Sequence, residues 1–161
     1  MHVADSKNSR GLALTTTLST AVAAQGLVTQ KNISLAMAPT IAQAAVAQCE
    51  SMGFKVSVTV ADRAGLPIVM LRGDGAGLHT PEGAERKACT ARTFSQPSAD
   101  FVKRLTERLG SRQYTRVLAL AGGLPIKAGS EVVGAVGVSG SPGKDDVGSQ
   151  AGIDKVADQL K

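Results

Sequence analysis

Residues 55–72 read Lys-Val-Ser-Val-Thr-Val-Ala-Asp-Arg-Ala-Gly-Leu-Pro-Ile-Val-Met-Leu-Arg. This stretch decides the fold. From Lys55 to Ala61 the apolar residues alternate, so Val56, Val58 and Val60 share one face of a strand. Asp62-Arg-Ala-Gly65 suits a four-residue hairpin connection. Leu66 to Arg72 then returns as a second strand, with Pro67 tolerated at an edge or among a strand's first residues. A hairpin pairs its strands antiparallel, which sets the class of the sheet.

Working upstream, Ser34 is placed to cap a helix running to Met52, with Gly53 as its stop. Pro39 either kinks the first turn of that helix or moves its start to the neighbourhood of Thr40. Downstream, a Gly73–Leu78 loop leads into a second helix, with Thr80 as N-cap, Pro81 at N1 and Glu82 facing the positive end of the dipole. A short third helix is expected over Ala99–Leu109, capped by Ser98 and stopped by Gly110. Strands resume over Val117–Ala121, Leu124–Ala128 and Val132–Ser139, and a last helix runs from Asp145 to Leu160 with Ile153, Val156, Ala157 and Leu160 on one stripe. Gly134, Gly137 and Gly140 recur every third residue and so cannot share one face of a strand; bulges or close helix contact account for them. The order of elements predicts an α+β domain, an antiparallel sheet of about five strands flanked by helices.

At 161 residues the chain has room for one domain and too little for two ordinary ones. Three Phe, one Tyr and no Trp leave the core to Val, Leu, Ile and Ala. The same scarcity argues against nucleic acid despite a net charge of +5, because single-strand binding relies on aromatic stacking platforms. Carboxylate-bearing small molecules suit that charge better. Cys49 and Cys89, each on a predicted helix among small apolar residues, read as buried free thiols. Lys7 and Arg10, the Thr-rich apolar run after Gly11 and the small-residue site Ala21-x-Ala23 resemble an export signal. Residues 1–23 are therefore expected to be a leader and 24–161 a single domain, periplasmic or secreted; without export the chain would be cytoplasmic. No later segment is long and apolar enough to span a membrane.

Several chemistries fail on spacing. Gly140-Ser-Pro-Gly-Lys-Asp145 would need Gly in place of Val138 and Ser or Thr in place of Asp145 to be a phosphate loop. Gly73, Gly75 and Gly77 lack the last glycine of a dinucleotide fingerprint and follow a hairpin. No Gly-x-Ser-x-Gly elbow is present. What remains centres on His79, in a glycine-rich loop at the mouth of a helix with Arg72, Asp74, Arg86 and Lys87 nearby in sequence. Imidazole ligates transition metals or haem iron, or moves a proton near neutral pH. Glu82 and Glu85 lie three apart on one helix face, a spacing that serves a hard cation such as iron and equally a simple dipole-stabilising pair.

The blocks Ser57-Val-Thr-Val-Ala-Asp-Arg-Ala-Gly65, Leu71-Arg-Gly-Asp-Gly-Ala76, His79-Thr80, Arg86-Lys-Ala-x-Thr-Ala91, Gly122-Gly-Leu-Pro-Ile126 and Val133-Gly-Ala-Val-Gly-Val-Ser-Gly140 resemble the GlcG/HbpS haem-binding (haem-degrading) family. They are also similar to the C-terminal domain of PduO-type corrinoid adenosyltransferases. The resemblance runs from about Thr29 to Lys161 and implies a profilin-like sheet and homo-oligomers. Together with the loop–His–helix layout it points to haem or iron as the bound group, with His79 as the iron ligand or a propionate contact, Arg72, Arg86 and Lys87 toward carboxylates, and a secondary iron site at Glu82 and Glu85, for which His79 is also a candidate metal ligand. Exported members begin after their leader with a stretch like Leu27 to Lys31. Cys89 stands where the family block often has an aromatic. Two other functions remain open at this point. One is an enzyme or sensor for a small carboxylate or hydroxy acid, with His79 as general acid or base. The other is a structural oligomer whose Leu78–His79 loop packs on a neighbouring subunit.

Overall fold

The structure is a computed structural model, and it describes residues 26–108, 110 and 113–161. The expected leader, residues 1–23, lies outside them. The fold has the order α1 (Met37–Ser51), β1 (Ser57–Ala61), β2 (Pro67–Arg72), α2 (Thr80–Phe94), α3 (Phe101–Glu107), β3 (Gly123–Ala128), β4 (Glu131–Ser139) and α4 (Asp145–Asp154). The four strands form one antiparallel sheet in the order β2-β1-β4-β3.

The alternation in residues 55–61 places β1 at the centre, buried on both faces. Val58 and Val60, with Val56 just before them, join Val136, Val138 and Ile126 under Ile41, Ala42, Ala45 and Cys49 of α1. Each fully buried valine contributes roughly 1.5–3 kcal/mol through its removal from water. The opposite face carries small residues, where Ala61 and Ala135 meet Ala88 and Ala91 of α2. A hydroxyl pair, Ser57 with Thr80 at 2.8 Å, ties β1 to the start of that helix.

Glycine sets the spacing between layers, and this is how the domain does without aromatic bulk. A side chain at Gly137 would meet the Ala84 carbonyl and the Ala88 amide of α2. One at Gly134, on the other face of β4, would strike Ile33. On the far layer a Cβ at Gly152 of α4 would lie 2.7 Å from the Ile41 carbonyl oxygen, so α1 and α4 approach closely enough for backbone contact.

Four expectations are corrected. The sheet has four strands, because Val117–Ala121 is not a strand: the Val117 and Leu120 carbonyls and the Leu118 amide pair with side chains instead of a neighbouring strand. Arg86 Nη2 donates to the Val117 carbonyl at 2.9 Å and the Leu118 amide donates to Thr90 Oγ1 at 2.8 Å. The first helix begins at Met37, whose amide donates to Ser34 Oγ at 3.1 Å; Pro39 then falls in the first turn, where its missing N–H costs nothing. Thr80 is the first helical residue of α2, not its cap, and its hydroxyl donates to the Gly77 carbonyl. The last helix stops at Asp154, so Val156 and Leu160 still pack on the core while Ala157 is exposed.

Candidate functional site

The loop after β2 is built to present His79. The Gly73 amide donates to the Val56 carbonyl and the Ala76 amide to the Gly73 carbonyl, closing a turn that carries Gly75 at a φ of 75°. Only glycine takes that left-handed conformation at little cost. Ala76 is buried as the loop's plug. Arg72 folds over the turn and donates through Nε and Nη2 to the Ala76 carbonyl, at 3.2 and 2.7 Å. Its guanidinium braces the loop. His79 then sits at the N-cap position of α2, exposed, with its ring close against Gly77. The imidazole has no hydrogen-bond partner among the described residues.

His79 stands at one side of a cleft of about 590 Å³. The first turns of α2 form one wall through Glu82, Gly83, Arg86 and Lys87, and the Gly140–Gly143 loop between β4 and α4 forms the other. Leu118, Leu120 and Ala121 supply apolar surface, and Asp145 and Ser139 complete the lining. A volume of this size lies within the range of small-molecule and cofactor sites.

The charged groups of the cleft are matched in pairs. Arg86 Nη1 lies 3.2 Å from Glu82 Oε1 on the same helix. Lys87 Nζ, in a side chain only 4% exposed, lies 2.6 Å from Asp145 Oδ2 and 3.1 Å from the Val138 carbonyl. Asp145 also accepts from the amide and hydroxyl of Ser141, at 2.8 and 2.7 Å. Cys49 lies behind Ser141, with 3.6 Å between sulfur and hydroxyl oxygen. Burial pushes the Cys49 thiol up; the Asp145 and Glu50 charges push the same way, and the Ser141 hydrogen bond opposes them.

Of the residues singled out from sequence, His79, Glu82, Arg86 and Lys87 line this cleft. Arg72 does not line it and acts on the loop instead. Glu85 points elsewhere and pairs with Arg116 at 3.1 Å. The described residues contain no group of three or more His, Cys, Asp and Glu side chains close enough to hold a metal ion, so His79, Glu82 and Glu85 do not converge within one chain. Cys89 faces a separate apolar pocket with Phe94, Tyr114 and Val117, away from His79. Sequence reasoning missed Ser139, Asp145 and the Gly140–Gly143 turn. The signal lay in the rejected phosphate-loop look-alike, whose glycines mark a tight turn beside the cleft without the spacing for phosphate.

The model of the HbpS-like haem-degrading proteins matches residues 33–153. The chain belongs to this family. A double glutamate-to-aspartate mutant of HbpS from Streptomyces reticuli has the same fold, with a TM-score of 0.77 and 39% identity over 83% of this chain and 94% of that one. A 15.0 kDa protein of the dhaT-dhaS intergenic region of Citrobacter freundii is 32% identical over 119 residues, which is 71% of this chain and 84% of that protein. A PduOC:heme complex shares the fold with a TM-score of 0.70 and 24% identity, over 76% of this chain and 94% of that one. Membership of the HbpS-like family agrees with the α+β class and with a haem-related role. No helix of the described residues is long and apolar enough to cross a membrane.

Proposed function

We propose that this protein binds haem in the cleft beside α2, with His79 as the protein ligand to iron. The observation that carries the reading is the state of that imidazole: exposed at the cleft, turned back on Gly77, and free of hydrogen bonds among the described residues. A histidine committed to capping or packing would be engaged; one reserved for a ligand would not. The rest of the lining suits the group. Leu118, Leu120 and Ala121 offer apolar surface to a macrocycle, and Arg86 offers N–H donors at the rim for a carboxylate. Haem, when bound, supplies the redox-active iron. His79 would hold that iron, Leu118 and Leu120 would shield it from water, and Arg86 would offer its N–H donors to a carboxylate. Arg72 contributes by fixing the loop that carries His79.

Free iron is the second ligand in this reading. At Glu82 and Glu85 it would have to displace Arg86 and Arg116 from those carboxylates. An exported chain acting as a homo-oligomer in haem handling or degradation completes the proposal, resting on the leader pattern of residues 1–23 and on the family. Titration of the protein with haemin, followed in the Soret region, tests it. The wild type should saturate with a shifted band, and His79→Ala should lose the shift. Identical spectra from the two would remove His79 as the ligand. A protein indifferent to haemin but stabilised by small hydroxy acids would favour the acid–base alternative for His79.

A further inference from the structure

We infer that Tyr114–Ala121 is a strap that unlatches from α2 to admit the ligand to the cleft, with the Thr90 hydroxyl as its latch. What passes the strap rests on the haem reading; that the strap opens does not.

The backbone of this segment makes one backbone–backbone hydrogen bond among the described residues, from the Val117 amide to the Tyr114 carbonyl, and that bond is internal to it. Side chains hold it to the domain. The Leu118 amide donates to Thr90 Oγ1 at 2.8 Å, the Leu120 carbonyl accepts from Ser98 Oγ, and the Val117 carbonyl accepts from Arg86 Nη2 at 2.9 Å. Arg116 adds a partly exposed pair with Glu85 at 3.1 Å. A strand in a ladder opens only with its neighbours, whereas a segment held by a few separate side-chain bonds opens locally.

The footing of the strap is shallow. Ala119 is buried, while Tyr114, Thr115, Arg116 and Leu120 are exposed. Tyr114 to Val117 line the apolar pocket of about 450 Å³ that Cys89 faces, and Leu118, Leu120 and Ala121 line the cleft. The strap thus runs over two cavities, and little packed apolar surface is lost when it lifts. Its far end is pinned. The Gly122 amide donates to Asp146 Oδ1, and the Gly122 carbonyl accepts from the Val138 amide at 2.8 Å and from Ser149 Oγ at 2.7 Å. Lifting therefore pivots at Gly122 and carries Leu118 and Leu120 away from the cleft wall.

Thr90 suits the part of latch. Its hydroxyl donates to the Arg86 carbonyl at 2.7 Å, which leaves its oxygen free to accept from the Leu118 amide. Thr90 does not line the cleft, so removing the hydroxyl loosens the strap without touching a ligand there.

Amide exchange of the full-length protein, with no ligand added, tests the opening. Leu118 should exchange at a rate indifferent to low urea, while amides of the β1–β4 ladder should quicken with urea as global unfolding does. Equal urea dependence for Leu118 and the ladder would overturn the strap. Stopped-flow binding of haemin tests the gate. Thr90→Val should raise the association and dissociation rate constants alike, by about fivefold for one neutral hydrogen bond lost, and leave Kd in place. Thr90→Ser keeps the hydroxyl and should match the wild type. A faster dissociation alone would mean a lost ligand contact, and that result, or unchanged rates in Thr90→Val, would overturn the gate. Should haemin fail to bind at all, the haem reading falls by itself and the exchange result decides the strap.

Discussion

Replacing Gly137 with alanine tests how α2, the helix that carries most of the cleft, is held. The new Cβ would lie 2.1 Å from the Ala84 carbonyl oxygen, 2.6 Å from the Ala88 nitrogen and 3.1 Å from the Ala84 carbonyl carbon. Ordinary contact begins near 3.4 Å, so relief requires α2 and β4 to part by more than an ångström. All three blocking atoms are backbone, and no side chain can swing aside. Overpacking of a core costs typically about 1–3 kcal/mol, and the immovable partners put this case at the upper end. For a domain of this size that loss corresponds to a fall of roughly 10 °C in Tm. Urea unfolding followed by far-UV circular dichroism reads it without needing tryptophan. Gly129→Ala is the control: its φ is 61° but no atom lies within 4 Å of the new Cβ, so only left-handed strain of about 1 kcal/mol is expected. If Gly137→Ala proves no worse than Gly129→Ala, the close helix-to-sheet contact is not what sets the position of α2.

Three further outcomes are expected. Asp145→Ala should destabilise the fold by about 3–5 kcal/mol, because it leaves the buried Lys87 ammonium without its counter-charge; Lys87→Met in the same chain should restore much of the loss in a denaturation experiment. The Cys49 thiol is raised by burial, so the unfolded chain releases this proton first and then binds fewer protons than the folded one. Stability should therefore be full below about pH 8.5, the ordinary thiol value, and fall as pH rises above it, with a shallower fall in Cys49→Ala measured alongside. Arg72→Ala removes both bonds to the Ala76 carbonyl, and amide exchange from Ala76 to His79 should quicken while Tm moves by only a few degrees, in keeping with a net worth of about 1 kcal/mol per hydrogen bond.

Much of the architecture was legible because it is written in local patterns. The alternation at Val56, Val58 and Val60 and the Asp62–Gly65 turn gave the hairpin, and the Leu66 amide does donate to Asp62 Oδ1 at 2.9 Å within it. The spacing of Gly134 and Gly137 foretold opposite faces, and each proves to lie under a different neighbour. The segment 117–121 misled because its apolar run looks like a strand while its partners, Arg86, Thr90 and Ser98, are distant in sequence. The site was legible only on the α2 side. Charge near His79 suggested a positive pocket, yet Lys87 is neutralised by Asp145, 58 residues away. No local pattern announces that pairing; the antiparallel placement of β4 beside β1 creates it.

The central claim is that His79 ligates haem iron, and the chain's histidine content makes a direct measurement possible. It has two histidines, His2 and His79. Protein labelled with 15N-histidine and loaded with ferric haem can be examined by electron–nuclear double resonance for nitrogen coupling to the iron. With His79 on the iron, a 15N coupling survives in His2→Ala and vanishes in His79→Ala. A coupling that persists in His79→Ala, or is absent from the haem-loaded wild type, would contradict it.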